Sequence, residues 1–179
     1  TPTTIVFKTS RAVGETITLG FNGSEIKNIS MDGAKAEDVT VNHNWRIVKL
    51  KLTSQTVTVK GDITVFDCSG NELTSLDVSG LTELENFACS SNRLTSLNIE
   101  GCDKLCYVEC YSNSIKDKAM TDIVNDLPKL DTPGAGRLVV TAEGCGNVIT
   151  AADVAAAKGK NWDVLDDKDH KFEGHIAVT

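Results

Sequence analysis

Apolar positions in the middle of this chain recur with a fixed spacing. ITVFDCSGNELTSLDVSGLTE begins at Ile63, LENFACSSNRLTSLNIEGCDK at Leu84 and LCYVECYSNSI at Leu105. The period is 21 residues (84 − 63 and 105 − 84). Phe66, Phe87 and Val108 share one column; Cys68, Cys89 and Cys110 share a second; Leu73, Leu94 and Ile115 share a third. A period near twenty predicts a stacked solenoid, because one such unit cannot bury its apolar face alone.

Each copy opens on a predicted strand, in which successive side chains take opposite faces. Phe66 and Cys68 then point inward, and so do their counterparts one period on. Val65, Asp67 and Ser69, then Asn86, Ala88 and Ser90, then Tyr107, Glu109 and Tyr111 point outward. Asn71, Asn92 and Asn113 follow the strand at the corner, where an amide supplies both a donor and an acceptor to turned backbone. They predict a buried ladder, structural like the Cys68, Cys89 and Cys110 column. The return segments LTSLDVSG and LTSLNIEG are too short for a full helix and predict extended or turn-like backbone.

The first sixty residues alternate with period two. Ile5–Lys8, Thr16–Leu19, Val39–Val41, Ile47–Leu52 and Thr56–Lys60 predict strands, separated by the turn dipeptides Asn22-Gly23 and Asp32-Gly33. A solenoid exposes an apolar end that needs a cover. This segment is expected to cap it, its last strands stacked on the first repeat and Trp45 anchoring the contact. After Ile115 the spacing changes to helical. Ala119, Met120, Ile123, Val124 and Leu127 form one face ended by Pro128, and Leu138–Thr141 predicts a strand. Thr150, in capping-box spacing with Asp153, opens a second helix, and Asn161–Leu165 a last strand.

Charge and composition narrow the chemistry. The formal net charge of −7 leaves no basic stripe for a phosphate backbone, so no nucleic-acid partner is expected. No apolar run is long enough to span a bilayer, and no signal segment is expected within this stretch. Three of the six cysteines lie in an inward column, where thiols act as small hydrophobes. Cys102 and Cys106 stand four apart across a turn, so either they pair or Cys102 fills core and Cys106 belongs to a strand. His43, His170 and His175 lie far from any nucleophile motif, and no zinc or phosphate-loop spacing occurs. No catalytic, metal or cofactor site is expected. Asp166, Asp167, Asp169 and Glu173 lack the spacing of a calcium loop and read as a solvated tail. The triplets Asn22-Gly23-Ser24 and Asn28-Ile29-Ser30 match the glycosylation sequon and carry no weight here.

The strand phrase with Cys, followed by N-x-L-T-x-L-D-V-S, resembles leucine-rich-repeat proteins, in particular the bacterial type common among secreted and cell-surface proteins of Bacteroidetes. The resemblance covers Ile63–Ile115, extends more loosely to AAAKGKNWDVLDD, and departs from the family in its few regular repeats. It implies an α/β leucine-rich-repeat solenoid: a right-handed superhelix with a parallel sheet of about five strands over 61–179 and an antiparallel β cap over 1–60. It further implies a non-enzymatic adhesion or protein-binding module, extracellular or anchored at the cell surface. The partner would be a host or matrix protein or, alternatively, a surface glycan; a structural spacer is the third reading. The outward residues Tyr107, Glu109, Tyr111, Asn86 and Asp67 are the candidate ligand face. The two tyrosines either meet a ligand or pack on the next repeat. Oligomeric state is left open.

Overall fold

The structure, a computed structural model, describes residues 4–23, 30–43 and 45–176. Ser24, Asn28 and Ile29 of the two sequon triplets lie outside the described residues. Alternation in the N-terminal segment produces β1 (Thr4–Thr9), β2 (Thr16–Gly23), β3 (Ser30–Asp32), β4 (Ala34–Asn42), β5 (Trp45–Leu52) and β6 (Thr56–Lys60). In β1 the alternation is complete: Ile5, Phe7 and Thr9 are buried while Val6 and Lys8 are exposed. The repeat region contributes β7 (Ile63–Asp67), β8 (Leu73–Asp77), β9 (Asn86–Ala88) and β10 (Tyr107–Glu109). Then come α1 (Asp117–Asp126), β11 (Gly136–Thr141), α2 (Ala151–Gly159) and β12 (Trp162–Asp166).

These strands form two mixed sheets. The larger runs β12-β11-β10-β9-β7-β2-β5-β4, and the smaller runs β3-β6-β1-β8. Strands β7, β9, β10, β11 and β12 are mutually parallel, and β2 joins β7 antiparallel through pairs such as Phe21 with Phe66. In the smaller sheet β1 pairs antiparallel with both β6 and β8.

This architecture corrects the expectation of an α/β leucine-rich-repeat solenoid. The protein is mostly β, 42% strand against 12% helix, with mixed sheets of 4 and 8 strands in place of a helix-flanked parallel array. Two physical causes account for the difference. The first return segment is itself a strand, β8, whose backbone bonds are taken by β1. The N-terminal strands also do not stack as a lid on the repeat. They add edge-on to both sheets, so that an antiparallel half and a parallel half share one ladder. The strands making that junction are β1 and β2, not the last strands of the segment.

Inner faces of both sheets meet in one core that runs from Ile5 to Val164. Phe66 and Phe87 stack with ring planes 3° apart and centroids at 6.3 Å. Cys68, Cys89, Cys102 and Cys110 are buried, and all six cysteines are free. Cys102 Sγ donates to Val78 O (3.1 Å) and Cys106 Sγ to Glu85 O (3.6 Å), so those two do not pair. Met120, Ile123 and Val124 seat α1, each buried side chain contributing about 1.5–3 kcal/mol. Thr150 caps α2 by accepting from Asp153 N (3.1 Å). The Asp153 carboxylate does not reach back to complete a capping box; it accepts from Thr121 Oγ1 (2.9 Å) and ties α2 to α1.

The corner asparagines supply the missing partners of turned backbone. Asn92 Nδ2 donates to Cys68 O and Cys89 O, while its Oδ1 accepts from Asn71 N and Leu73 N. Asn113 repeats this on Cys89 O, Cys110 O and Leu94 N. Asn71 extends the ladder into β2, where its amide both donates to Thr18 O (2.8 Å) and accepts from Thr18 N (3.0 Å).

Candidate functional site

Strand register lays the outward residues of the eight-stranded sheet in rows. Val65, Asn86, Tyr107, Arg137 and Asp163 are consecutive partners across β7, β9, β10, β11 and β12. The next row reads Gly20, Asp67, Ala88, Glu109, Val139 and Leu165. Ser69, Ser90 and Tyr111 continue the alternation past the strand ends. The face therefore brings Asp67, Asn86, Tyr107, Glu109 and Tyr111 together on three neighbouring strands. Asn86 is exposed and the other four are half-buried.

The two tyrosines do not stand up as a matched pair. Arg137 leans on Tyr107, its guanidinium carbon 5.7 Å from the ring centroid. That guanidinium also bonds Asp169 Oδ1 at 2.5 Å, so the C-terminal tail reaches back onto the face. Tyr111 lies beside Ser90. Ser90 is only 2% exposed, although alternation places it outward. The hydroxyls of Ser69 and Ser90 are buried; that of Ser69 has no hydrogen-bond partner among the described residues, and that of Ser90 lies against the Tyr111 phenol.

Charge on the face is uncompensated at its centre. Burial raises the Glu109 carboxyl above its ordinary range, with Asp67 and then Asp169 adding to the shift and Tyr107 opposing part of it. Burial likewise raises the Tyr107 and Tyr111 phenols, and Glu109 is the next contributor for both. Asp67 Oδ1 accepts from Ser69 N (2.9 Å) in a local turn. Among the described residues, the ion pairs of the chain include neither Asp67 nor Glu109.

No family model matches this chain, and no curated protein or solved structure is significantly similar to it.

Other predicted features have their own places. Trp45 does not anchor the junction with the repeat. It is half-buried on the outward side, its ring against Gly20, where a Cβ would overlap it. Three of the four tail acids have partners: Asp166 Oδ1 accepts from Lys168 N and His170 N (both 2.9 Å), Asp169 pairs with Arg137, and Glu173 pairs with Lys158 (2.7 Å). The bond from His170 N is the main cause that holds the Asp166 carboxyl below its usual range. Among the described residues no three His, Cys, Asp or Glu side chains converge as a metal site. The histidines are dispersed: His43 is exposed beyond β4, His170 lies 3.3 Å from Asp166, and His175 Nδ1 accepts from Ile149 N (3.1 Å). Among the described residues no helix is long and apolar enough to cross a membrane. A recess of about 650 Å³ lies away from this face, between Ser96–Asn98 and α1.

Arg137, Asp169 and Ser90 were not among the sequence candidates. Parity in the run Gly136–Thr141 points Arg137 outward once Leu138 is taken as inward, so that signal was present. Asp169 carried none, since its position depends on the fold of the tail.

Proposed function

We propose that this protein is a non-enzymatic binding module which presents the outward face of its eight-stranded sheet to a protein partner outside the cell. One observation carries the reading: Asp67 and Glu109 are half-buried on that face, flanked by half-buried tyrosines, and among the described residues no cation pairs with either. A half-buried carboxylate without a counter-ion is costly in the free protein, and a complementary surface would relieve it. Tyrosines beside such charge supply rigid contact area at low entropic cost. A protein suits the face better than a sugar, because the Tyr107 ring already carries a guanidinium where a sugar would stack.

Immobilised matrix proteins and a glycan array, probed with the native protein and with a Tyr107→Ala/Tyr111→Ala variant, test the reading. Binding to a protein that the double variant loses, at unchanged melting temperature, supports it. Binding confined to glycans, or protein binding indifferent to the double variant, overturns it. The location outside the cell belongs to the same proposal and rests on the family resemblance. Digestion of the protein by protease added to intact cells supports it, and full protection until lysis removes it.

A further inference from the structure

We propose that a recess between the two sheets, at β4 and β5, binds a small amphiphilic carboxylate, a fatty-acid-like molecule whose head pairs with Arg46. The recess is on the inner side of the larger sheet, so it stands independently of the outward face described above. Alternation in β5 puts Arg46, Val48, Leu50 and Leu52 on that inner side, and the last three are buried. Their register partners on β4 are Val41, Val39, Ala36 and Ala34, which share the same side. A core-facing row is expected to be covered. Val39 is nevertheless 47% and Val41 53% exposed, and Ala36 is exposed too. The smaller sheet has half as many strands and ends at β3. The exposure of the row shows that this sheet stops short of covering β4.

The space left over is a recess of about 340 Å³, within the range of small-ligand pockets, about 300–1,000 Å³. Phe21, Val48 and Leu50 are its buried floor, and Met31 approaches from β3 in the smaller sheet. Arg46 is the one charged residue among its described lining residues. The Arg46 Nε is buried and has no hydrogen-bond partner among the described residues, and none of the ion pairs there includes Arg46. Buried polar groups left unpaired are uncommon, and a guanidinium cannot escape the cost by losing its proton. Its planar fork matches a carboxylate through two parallel N–H···O bonds. One such fork in an apolar lining fits one negative charge on an apolar body, which would cover Val39 and fill the space over Ala36. A sugar lacks the charge, and an inorganic anion lacks the body.

Isothermal calorimetry with octanoate, octanol and acetate tests this, at concentrations below micelle formation and with backbone amide NMR to place the site. Octanoate is expected to bind saturably and to shift the Ala36, Val39 and Val48 amides. Octanol lacks the charge and acetate the apolar body, so each should bind at least tenfold more weakly. Arg46→Met should weaken octanoate at least tenfold, leave octanol unchanged and not lower the melting temperature. Arg46→Lys should keep part of the affinity, which separates loss of charge from loss of fold. Ala36→Phe, on the exposed edge strand, should fill the recess and abolish octanoate binding with Arg46 still in place. Three results overturn the site: no saturable octanoate binding, octanol bound as tightly as octanoate, or equal octanoate affinity of native and Arg46→Met protein. Octanoate shifts confined to other strands do the same. Tyr107→Ala/Tyr111→Ala protein should bind octanoate as the native protein does, so this site and the matrix-protein reading fail separately.

Discussion

Asn147 repeats the bonding of Asn113 one strand further along. Asn113 Nδ2 donates to Cys89 O and Cys110 O, and Asn147 Nδ2 donates to Cys110 O (2.8 Å) and Val140 O (2.9 Å). Its Oδ1 accepts from Ile115 N (2.8 Å), as Asn113 Oδ1 accepts from Leu94 N (3.0 Å). The carbonyl of Cys110 is thus shared by two successive rungs. Asn113→Ala is expected to cost about 1–3 kcal/mol, since Leu94 N loses its acceptor while Cys89 O and Cys110 O each keep one of their two amide donors. Asn147→Ala should cost a similar amount. Urea unfolding of each variant measures it, and a loss below about 0.5 kcal/mol would show that water replaces the amide.

Two glycines each face a tryptophan ring, with opposite expected outcomes on substitution. A Cβ at Gly136 would overlap Trp162, which is fully buried and anchored by its Nε1 bond to Pro128 O (2.7 Å). Gly136→Ala should therefore destabilise by about 1–3 kcal/mol through overpacking. Gly20→Ala meets Trp45, half-buried at the surface, which can swing aside. Stability should change little there, and the tryptophan emission should shift to the red. Equal losses of melting temperature in the two variants would contradict this assignment of inner and outer rings.

The thiols should react in two classes. Burial pushes Cys102 up to about 11 and Cys110 up to about 12, and it raises Cys68 and Cys89 as well. A neutral, enclosed thiol is a poor nucleophile. Alkylation of the native protein near neutral pH, followed by intact mass, should modify Cys106 and Cys145 first and leave four thiols for the unfolded state. Uptake of a third label on the time scale of the first two would contradict the buried column.

Glu109 makes stability on the acid side depend on one face. Its carboxyl is raised in the folded state, so the folded protein holds that proton more tightly than the unfolded chain does. The contribution of this group to stability falls as pH rises through the window between its unfolded and folded values, and it stays lower above that window. Its neighbours on the face are Asp67, Tyr107, Tyr111, Arg137 and Asp169. Glu109→Gln should remove this slope and raise stability at neutral pH relative to the native protein. Urea midpoints measured from about pH 4 to 7 read it, and a variant with an unchanged pH profile would refute it.

The parallel strands were legible because the 21-residue period fixes which columns share a face. The same alternation placed Asp67, Asn86, Tyr107, Glu109 and Tyr111 on one surface. What the period could not supply was pairing between distant segments: β1 meets β8 across more than sixty residues, and no local signal in LTSLD announces an antiparallel partner at Phe7 or Lys8. That pairing turned an expected solenoid into two mixed sheets. Asn147 escaped notice for a different reason. α1 and the longer connection after it displace the fourth rung from the 21-residue register. At the site, residue type and facing could be read, but the lean of Tyr111 toward Ser90 and of Arg137 over Tyr107 depends on side-chain packing.

The shared carbonyls give the ladder a growth rule. Every 21-residue copy brings its own amide and leaves one strand carbonyl for the next, so a duplicate of residues 84–104 inserted after Lys104 would find its bonding partners already waiting. Such an insertion would move Glu109 one strand further from Asp67 while leaving both in the same row. Copy number thus acts as a molecular spacer on this surface, setting the distance between charges in steps of one strand width.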